Sequence, residues 1–372
     1  MTSAQGDRKT VPLGRFHAIE PQVGRPLYLL ASDAILDVLE DASAEIGDRL
    51  PPTRMLGDRM GVSLVTMHRA LQELANRGVI ERGQGRGTYV SSPASAFGLL
   101  RRIAITFQPD ASWSDPYHSN LLEGISSGAV ENGIEIVIAH SRPGVWRRCD
   151  AVIHINPSST QMTEIARLSK EGELSAAIGQ PEHLVLGATH ENLHSIDCDN
   201  RMMGQMAVEE LAKAGHRRIG YIGSDDDTSN SRHRLEGFKD CLQDMDSQVE
   251  CVFELLGKGW HLSESEHAKL VTAFARTSAP TAIFAAGYYL ALDAYSAVRA
   301  AGKRVPSDIA VIGVDDPPSA AVLSPPLTTF RQPLVAMGRT AISLAIQLHE
   351  QRSDNIVSTI LPPVMIPRTS HY

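Results

Sequence analysis

At 372 residues the chain exceeds one ordinary domain, and a composition 42% hydrophobic and 21% charged excludes disorder over most of its length. A formal net charge of -8 excludes a surface that grips polyanions all over, so any nucleic-acid contact must be local. Residues 1–24 are polar and are expected to be a flexible arm. Arg25–Ala44 reads as a helix with Leu27, Leu30, Ile35, Leu36 and Leu39 on its inner face. Met55–Met60 reads as a short helix and Gly61-Val62-Ser63 as a turn. Ser63 is placed to cap a second helix running to about Asn76, with Val65, Met67, Ala70, Leu71 and Leu74 as its apolar face. Gly78 ends that helix. Val79–Arg82 alternates like a strand, Gly83–Gly87 is a tight turn, and Thr88–Val90 is the returning strand. Helix, turn, helix and basic hairpin together form a winged helix-turn-helix, suited to a DNA groove and its flanking phosphates. Seven arginines against three acids between Arg49 and Arg86 give the local charge that such a device needs.

Ser91–Ala96 is a small-residue linker. Beyond it, strands and helices alternate. Strands are expected at Arg102–Phe107, Ile134–Ala139, Ala151–Ile155, Ala176–Gly179, Ser195–Cys198, Arg218–Ile222, Val249–Leu255, Ala282–Ala286 and Ile309–Val314. Helices are expected at Asn120–Asn132, Met202–Ala214, 231–244, 263–277, 290–301 and Pro333–Leu348. That alternation means parallel sheets covered by helices, an α/β fold in two halves, with a ligand cleft where the strands end.

The N-terminal pattern resembles the GntR family of bacterial regulators: Leu50-Pro51-Pro52-Thr53-Arg54, then Val62-Ser63, Thr66 to Leu71, and Gly85 to Val90 stand in that family's order. The resemblance implies DNA contacts from Arg54, Ser63, Leu64, Thr66, His68, Arg69, Arg82, Gln84, Gly85 and Arg86. Thr53, Leu64 and His68 depart from the usual family residues, which puts the family's usual operator in doubt. Downstream, Ala207–Gly223, Ser231–Phe238, Ala310–Asp316 and Ser324–Gln332 resemble the effector domain of LacI/GalR regulators, itself similar to periplasmic sugar-binding proteins. The whole chain thus looks like a GntR–LacI chimera: a winged domain over 25–90, a linker over 91–100, and an effector and dimerisation domain over 101–370, in two periplasmic-binding-protein-like α/β subdomains.

The second resemblance implies effector contacts from Asn230, Arg234, Trp260, Asp315 and Gln332, with Asp115 and Tyr117 as candidates in the first half. Arg234 and Asp315, expected at two strand ends of one subdomain, offer a donor fork and an acceptor pair, which suits a sugar's hydroxyls. Gly287 stands where the family usually has Asn, and its missing side chain is expected to leave extra room. The link from Ala139 to Cys149 is too short for the helix usual there.

The first residues lack the apolar run of a signal peptide, and Ala279–Val298, the most apolar window, is broken by Asp293. Cys149, Cys198, Cys241 and Cys251 form no C-x-x-C pair, which points to a reduced cytosol. The 14 histidines show no metal spacing, and no nucleophile elbow, Walker loop or dinucleotide fingerprint appears. The expectation is a cytoplasmic, cofactor-free, non-enzymatic transcription regulator, a repressor by preference, that dimerises, binds double-stranded operator DNA and answers to a sugar-like effector without touching a membrane. Two other readings stay open: a DNA-binding regulator whose pocket senses nothing, and a sugar-binding module with a vestigial winged domain.

Overall fold

The computed structural model describes residues 9–21, 26–42, 44–76, 79–83, 87–91, 100–108, 115–140, 149–175, 181–245, 248–351 and 355–372. The chain divides into two compact units, residues 1–101 with the short stretches 172–181 and 346–352, and the remainder.

In the first unit, α1 (Leu27–Asp41), α2 (Thr53–Met60) and α3 (Leu64–Asn76) precede an antiparallel pair, β1 (Ile80–Gly83) and β2 (Gly87–Val90), in register from Ile80↔Val90 to Gly83↔Gly87. α2 stops at Gly61, whose φ of 70° is the left-handed cap that glycine favours. The buried stripe of α3 is Met67, Ala70, Leu71 and Leu74, the i, i+3, i+4, i+7 set of one helix face. Val65 is a correction. It sits about 200° around the helix from Met67 and is 78% exposed, so it faces solvent with Leu64.

The expected flexible arm is a second correction. Residues 9–21 lie on the winged domain, with Val11 and Phe16 buried in the same core as Ile35, Leu56, Met60 and Leu71. Thr10 bridges to Arg49, and Arg49 bridges in turn to Tyr89 of β2. A 3-10 turn at Leu13–Arg15 follows, and Ile19 N–H then donates to Met60 O at 3.0 Å. Val11, Leu13, Phe16 and Ile19 follow neither a helical nor a strand period, so this element is invisible to pattern. Gly78 and the wing tip Gln84–Arg86 lie outside the described residues.

Among the described residues the second unit holds two six-stranded sheets. The first contains β3 (Arg102–Phe107), β4 (Glu135–His140), β5 (Ala151–Ile155), β6 (Glu182–Leu186), β7 (His194–Cys198) and β13 (Ser358–Leu361), in the order β13-β7-β6-β5-β3-β4. The second contains β8 (Arg218–Ser224), β9 (Glu250–Gly257), β10 (Ala282–Ala285), β11 (Ala310–Val314), β12 (Thr328–Arg331) and β14 (Val364–Ile366), in the order β14-β12-β11-β10-β8-β9. All pairings are parallel except β12 with β14. The helices are α4 (Pro116–Asn132), α5 (Ser159–Ser175), α6 (Asn200–Lys213), α7 (Ser229–Asp244), α8 (Glu264–Ala275), α9 (Tyr288–Ala300) and α10 (Leu334–Gln351).

The chain passes between the sheets three times: after β7, after β12, and through Pro362-Pro363 between β13 and β14. These crossings join the two sheets into one two-lobed unit. The strand expected at Ala176–Gly179 falls outside the described residues, as does most of the short link, 141–148. Beside β5, on the side away from β3, lies the unforeseen β6, preceded by α5, whose mixed polar face hid it. β12, β13 and β14 were also unforeseen, being only three or four residues long.

Candidate functional site

The winged surface is built on α3. Ser63 caps it as expected: Thr66 N–H donates to Ser63 Oγ at 3.1 Å, and the two hydroxyls share a bond at 2.8 Å. Leu64, His68 and Arg69 are exposed, as is Arg54 in the first turn of α2. Two basic groups are held in place. The Arg69 guanidinium lies 4.2 Å over the Tyr28 ring of α1. Arg82 of β1 donates to His68 Nδ1 at 2.9 Å, tying the wing to the helix. Gln84, Gly85 and Arg86 belong to the undescribed wing tip.

In the second unit a pocket is lined by six of the seven predicted effector residues: Asp115, Tyr117, Asn230, Arg234, Trp260 and Asp315. Asp115 ends the loop after β3 and caps α4, accepting from Tyr117 N–H at 2.8 Å. Burial, reinforced by the Asp197 charge, pushes the Tyr117 phenol well above its ordinary pKa, so it remains a donor. Asn230 turns its carbonyl to Ser231 N–H at 2.7 Å and to the Thr228 hydroxyl. Its amide nitrogen lacks a partner among the described residues.

Arg234 is 1% exposed. It stands inside α7 and not at a strand end, a correction to the expected placement. Where α6 crosses α7, a Cβ on Gly204 would overlap the Arg234 carbonyl, so glycine lets the two helices meet. Arg234 Nε donates to Asn200 Oδ1 at 2.8 Å and Nη1 to Ala286 O at 2.6 Å. Asp315 follows β11 at a φ of 81°. Its carboxylate accepts from Gln332 Nε2 at 2.6 Å and from the Tyr288 backbone N–H at the start of α9. Burial raises the Asp315 pKa, and the Arg234 charge opposes that rise. The neighbouring Asp316 meets the opposite fate: although burial works against it, hydrogen bonds from Arg331, Arg368 and Thr329 hold it below its ordinary value.

Gln332 does not line the cavity; it stands behind Asp315 and holds it. Gly287 leaves no spare room either. A Cβ there would stand 2.8 Å from Cε3 of Trp260, so the indole already occupies the space. Sequence reasoning also missed Tyr288 and Tyr289 on the cavity wall and the supports Asp197 and Asn200 beneath it. The adjacent Gly-Tyr-Tyr was the available signal for the tyrosines. Asn200 Nδ2 donates to Asp197 Oδ1 at 3.2 Å, and burial pushes the Asp197 pKa up to about 7. The cavity thus offers a buried donor fork, a buried acceptor pair and aromatic walls, the means to bind a compact molecule bearing hydroxyls and apolar faces. Among the described residues no helix is long and apolar enough to cross a membrane.

Residues 27–90 match the gntR family of bacterial regulatory proteins, and residues 208–371 match the periplasmic binding protein-like domain. The HTH-type transcriptional regulator CelR of Thermobifida fusca is 26% identical over 347 residues, 87% of this chain and 97% of its own. The arabinose metabolism transcriptional repressor of Geobacillus stearothermophilus is 25% identical over 374 residues, 93% of this chain and 97% of its own. Two solved structures share the fold. The CelR–cellobiose complex has a TM-score of 0.59 at 21% identity, covering 93% of this chain and all of its own. An operator-bound lac repressor dimer has a TM-score of 0.61 at 23% identity, covering 73% of this chain and 94% of its own.

Proposed function

We propose that this chain, a GntR-type winged helix-turn-helix joined to a LacI/GalR-like effector domain, is a DNA-binding transcription repressor released or engaged by a sugar. The observation that carries the effector class is the cavity pair Arg234 and Asp315. A polyol accepts from the guanidinium N–H groups that Asn200 and Ala286 leave free and donates to the remaining carboxylate lone pairs; an apolar ligand leaves those spare positions unsatisfied, at roughly 1–3 kcal/mol for each buried group. Trp260 and the tyrosines supply faces for the ring's C–H surface. Asp115, Tyr117 and Asn230 take secondary contacts, and Gln332 acts through Asp315.

The switch resides in the hinge. Asn200 is the second residue after β7 and Gln332 the first after β12, so each stands where a crossing begins, and each holds one of the two charged site residues. A ligand that draws on Arg234 and Asp315 therefore bears on both crossings. It shifts the lobes only in so far as it binds their two arrangements unequally. A homodimer formed through the effector domain sets two winged domains on the half-sites of a two-fold operator in the cytoplasm, and no step requires catalysis.

Calorimetry on the intact chain with a mono- and disaccharide panel, starting from arabinose and cellobiose because relatives are named for or complexed with them, tests the reading. A binder lost in both Arg234→Ala and Asp315→Ala is expected. A sugar bound equally well by both variants places the site elsewhere.

A further inference from the structure

Residues 9–20 form a strap across the winged domain. One end lies on the wing side: Val11 N–H donates to Arg49 O and Arg49 N–H to Lys9 O, both at 2.9 Å, while Arg49 bridges on to Tyr89 of β2. The Arg49 guanidinium folds over Gly87, where a Cβ would stand 2.9 Å from Nε. The other end lies on the helix-turn-helix turn. Ile19 is bonded to Met60, and Ala18 Cβ is 3.9 Å from where a Gly61 Cβ would stand, two residues before the cap of α3. Val11 and Phe16 anchor the strap inward, so its outward positions are set. Those positions include Lys9, Arg15 and His17, all exposed, against the single exposed acid Glu20. The strap also aims a cation from α2: Arg59 Nε donates to Phe16 O at 2.9 Å, committing one N–H and leaving an exposed guanidinium beside the turn.

We propose that residues 9–20 are a third DNA-contacting element, which sets Lys9, Arg15 and Arg59 against the phosphate backbone on the flank of the recognition helix and wing. Two features support DNA as the occupant. The strap is continuous at both ends with the winged surface, and its cationic side chains complement phosphate. Backbone contacts carry no sequence information, so the strap contributes affinity and register and not operator choice. The inference rests on the DNA-binding reading of the winged domain.

The test uses the intact chain and a random-sequence duplex of about 30 base pairs, titrated from low to moderate salt. Replacing Lys9 and Arg15 together by Ala is expected to weaken binding about tenfold at 0.1 M salt and to reduce the salt slope by roughly two, with the thermal midpoint measured alongside as the check on folding. Arg59→Ala is expected to reduce the slope by roughly one. Phe16→Ala serves as the structural comparison, lowering the thermal midpoint. Arg54→Ala, on α2, reports on the winged surface itself. If Arg54→Ala weakens binding while the Lys9/Arg15 variant keeps both affinity and slope, the strap is structural only and the proposal is overturned. If the wild-type chain binds no duplex at low salt, the DNA-binding reading falls, and this proposal with it.

Discussion

Arg69 in the winged domain and Arg234 in the effector domain show how differently the two regions use one side chain. Arg69 is exposed, rests on the Tyr28 ring, and has most of its donors in solvent. Arg234 is enclosed, bonded to Asn200 and Ala286, and balanced by the charges of Asp197 and Asp315. The first arrangement makes a surface whose polar groups can be exchanged without disturbing the core beneath. The second makes a cluster in which the pocket lining and the fold share the same bonds. Substitutions should therefore separate function from stability in one region and fuse them in the other.

The largest expected effect is at Arg234. Arg234→Ala leaves Asn200 Oδ1 and the Ala286 carbonyl without a donor and two buried carboxyl groups without a cation. A loss of roughly 3–5 kcal/mol in urea unfolding should accompany the loss of sugar binding. A variant of full stability would break the comparison. Arg69→Ala is the counterpart: operator binding should weaken by roughly 1–3 kcal/mol if the side chain reads a base. Unfolding should stay within about 0.5 kcal/mol of wild type. A large drop in stability there would mean that the Tyr28 contact is structural.

Gly287→Ala tests the packing behind the cavity. Its Cβ meets the Trp260 ring at 2.8 Å, so a cost of roughly 1–3 kcal/mol and a changed indole fluorescence are expected. An unchanged spectrum would show that the ring is loosely held.

The smallest effect is a pH dependence within the first sheet. Asp197, pushed up to about 7, binds its proton more tightly folded than unfolded. Its stabilising share is complete below the unfolded carboxylate pKa and is lost as pH rises through 7. His183, lowered to about 4, and His154, lowered well below its ordinary value, act in the opposite sense. Burial depresses both, and the neighbouring His183 depresses His154 further. Their share is present above about 6.5 and is lost as pH falls. Between pH 4.5 and 6.5 the acid and the histidines oppose each other. Asp197→Asn removes one side, so stability should climb more steeply with pH than in wild type, by about 1 kcal/mol per pH unit. Equal slopes would mean that Asp197 is charged in the folded chain.

The same contrast explains what could be read from the residues. The helix-turn-helix and the alternation of the effector domain rest on local periodicity and turn chemistry, which sequence carries directly. Arg234 and Asp315 were legible through motif resemblance. Their supports were not: Asn200 is 34 residues from Arg234 and Gln332 is 17 from Asp315, and nothing local marks either pairing. The strap escaped for a related reason, since Phe16 finds its place only when α1, α2 and α3 are assembled. Val65 is apolar by chemistry, which points inward, but helical phase sets it outward.

The hinge supports have an evolutionary corollary. Because Asn200 and Gln332 serve both the cavity and the crossings, under the proposed function a substitution that retunes which ligand the cavity holds would also reset how the lobes rest without it. Lineages of this build would have to trade specificity against basal leakiness at the same few positions. New effector preferences should then arise together with compensating changes beside the two crossings, while the exposed reading surface of the winged domain drifts to new operators on its own schedule.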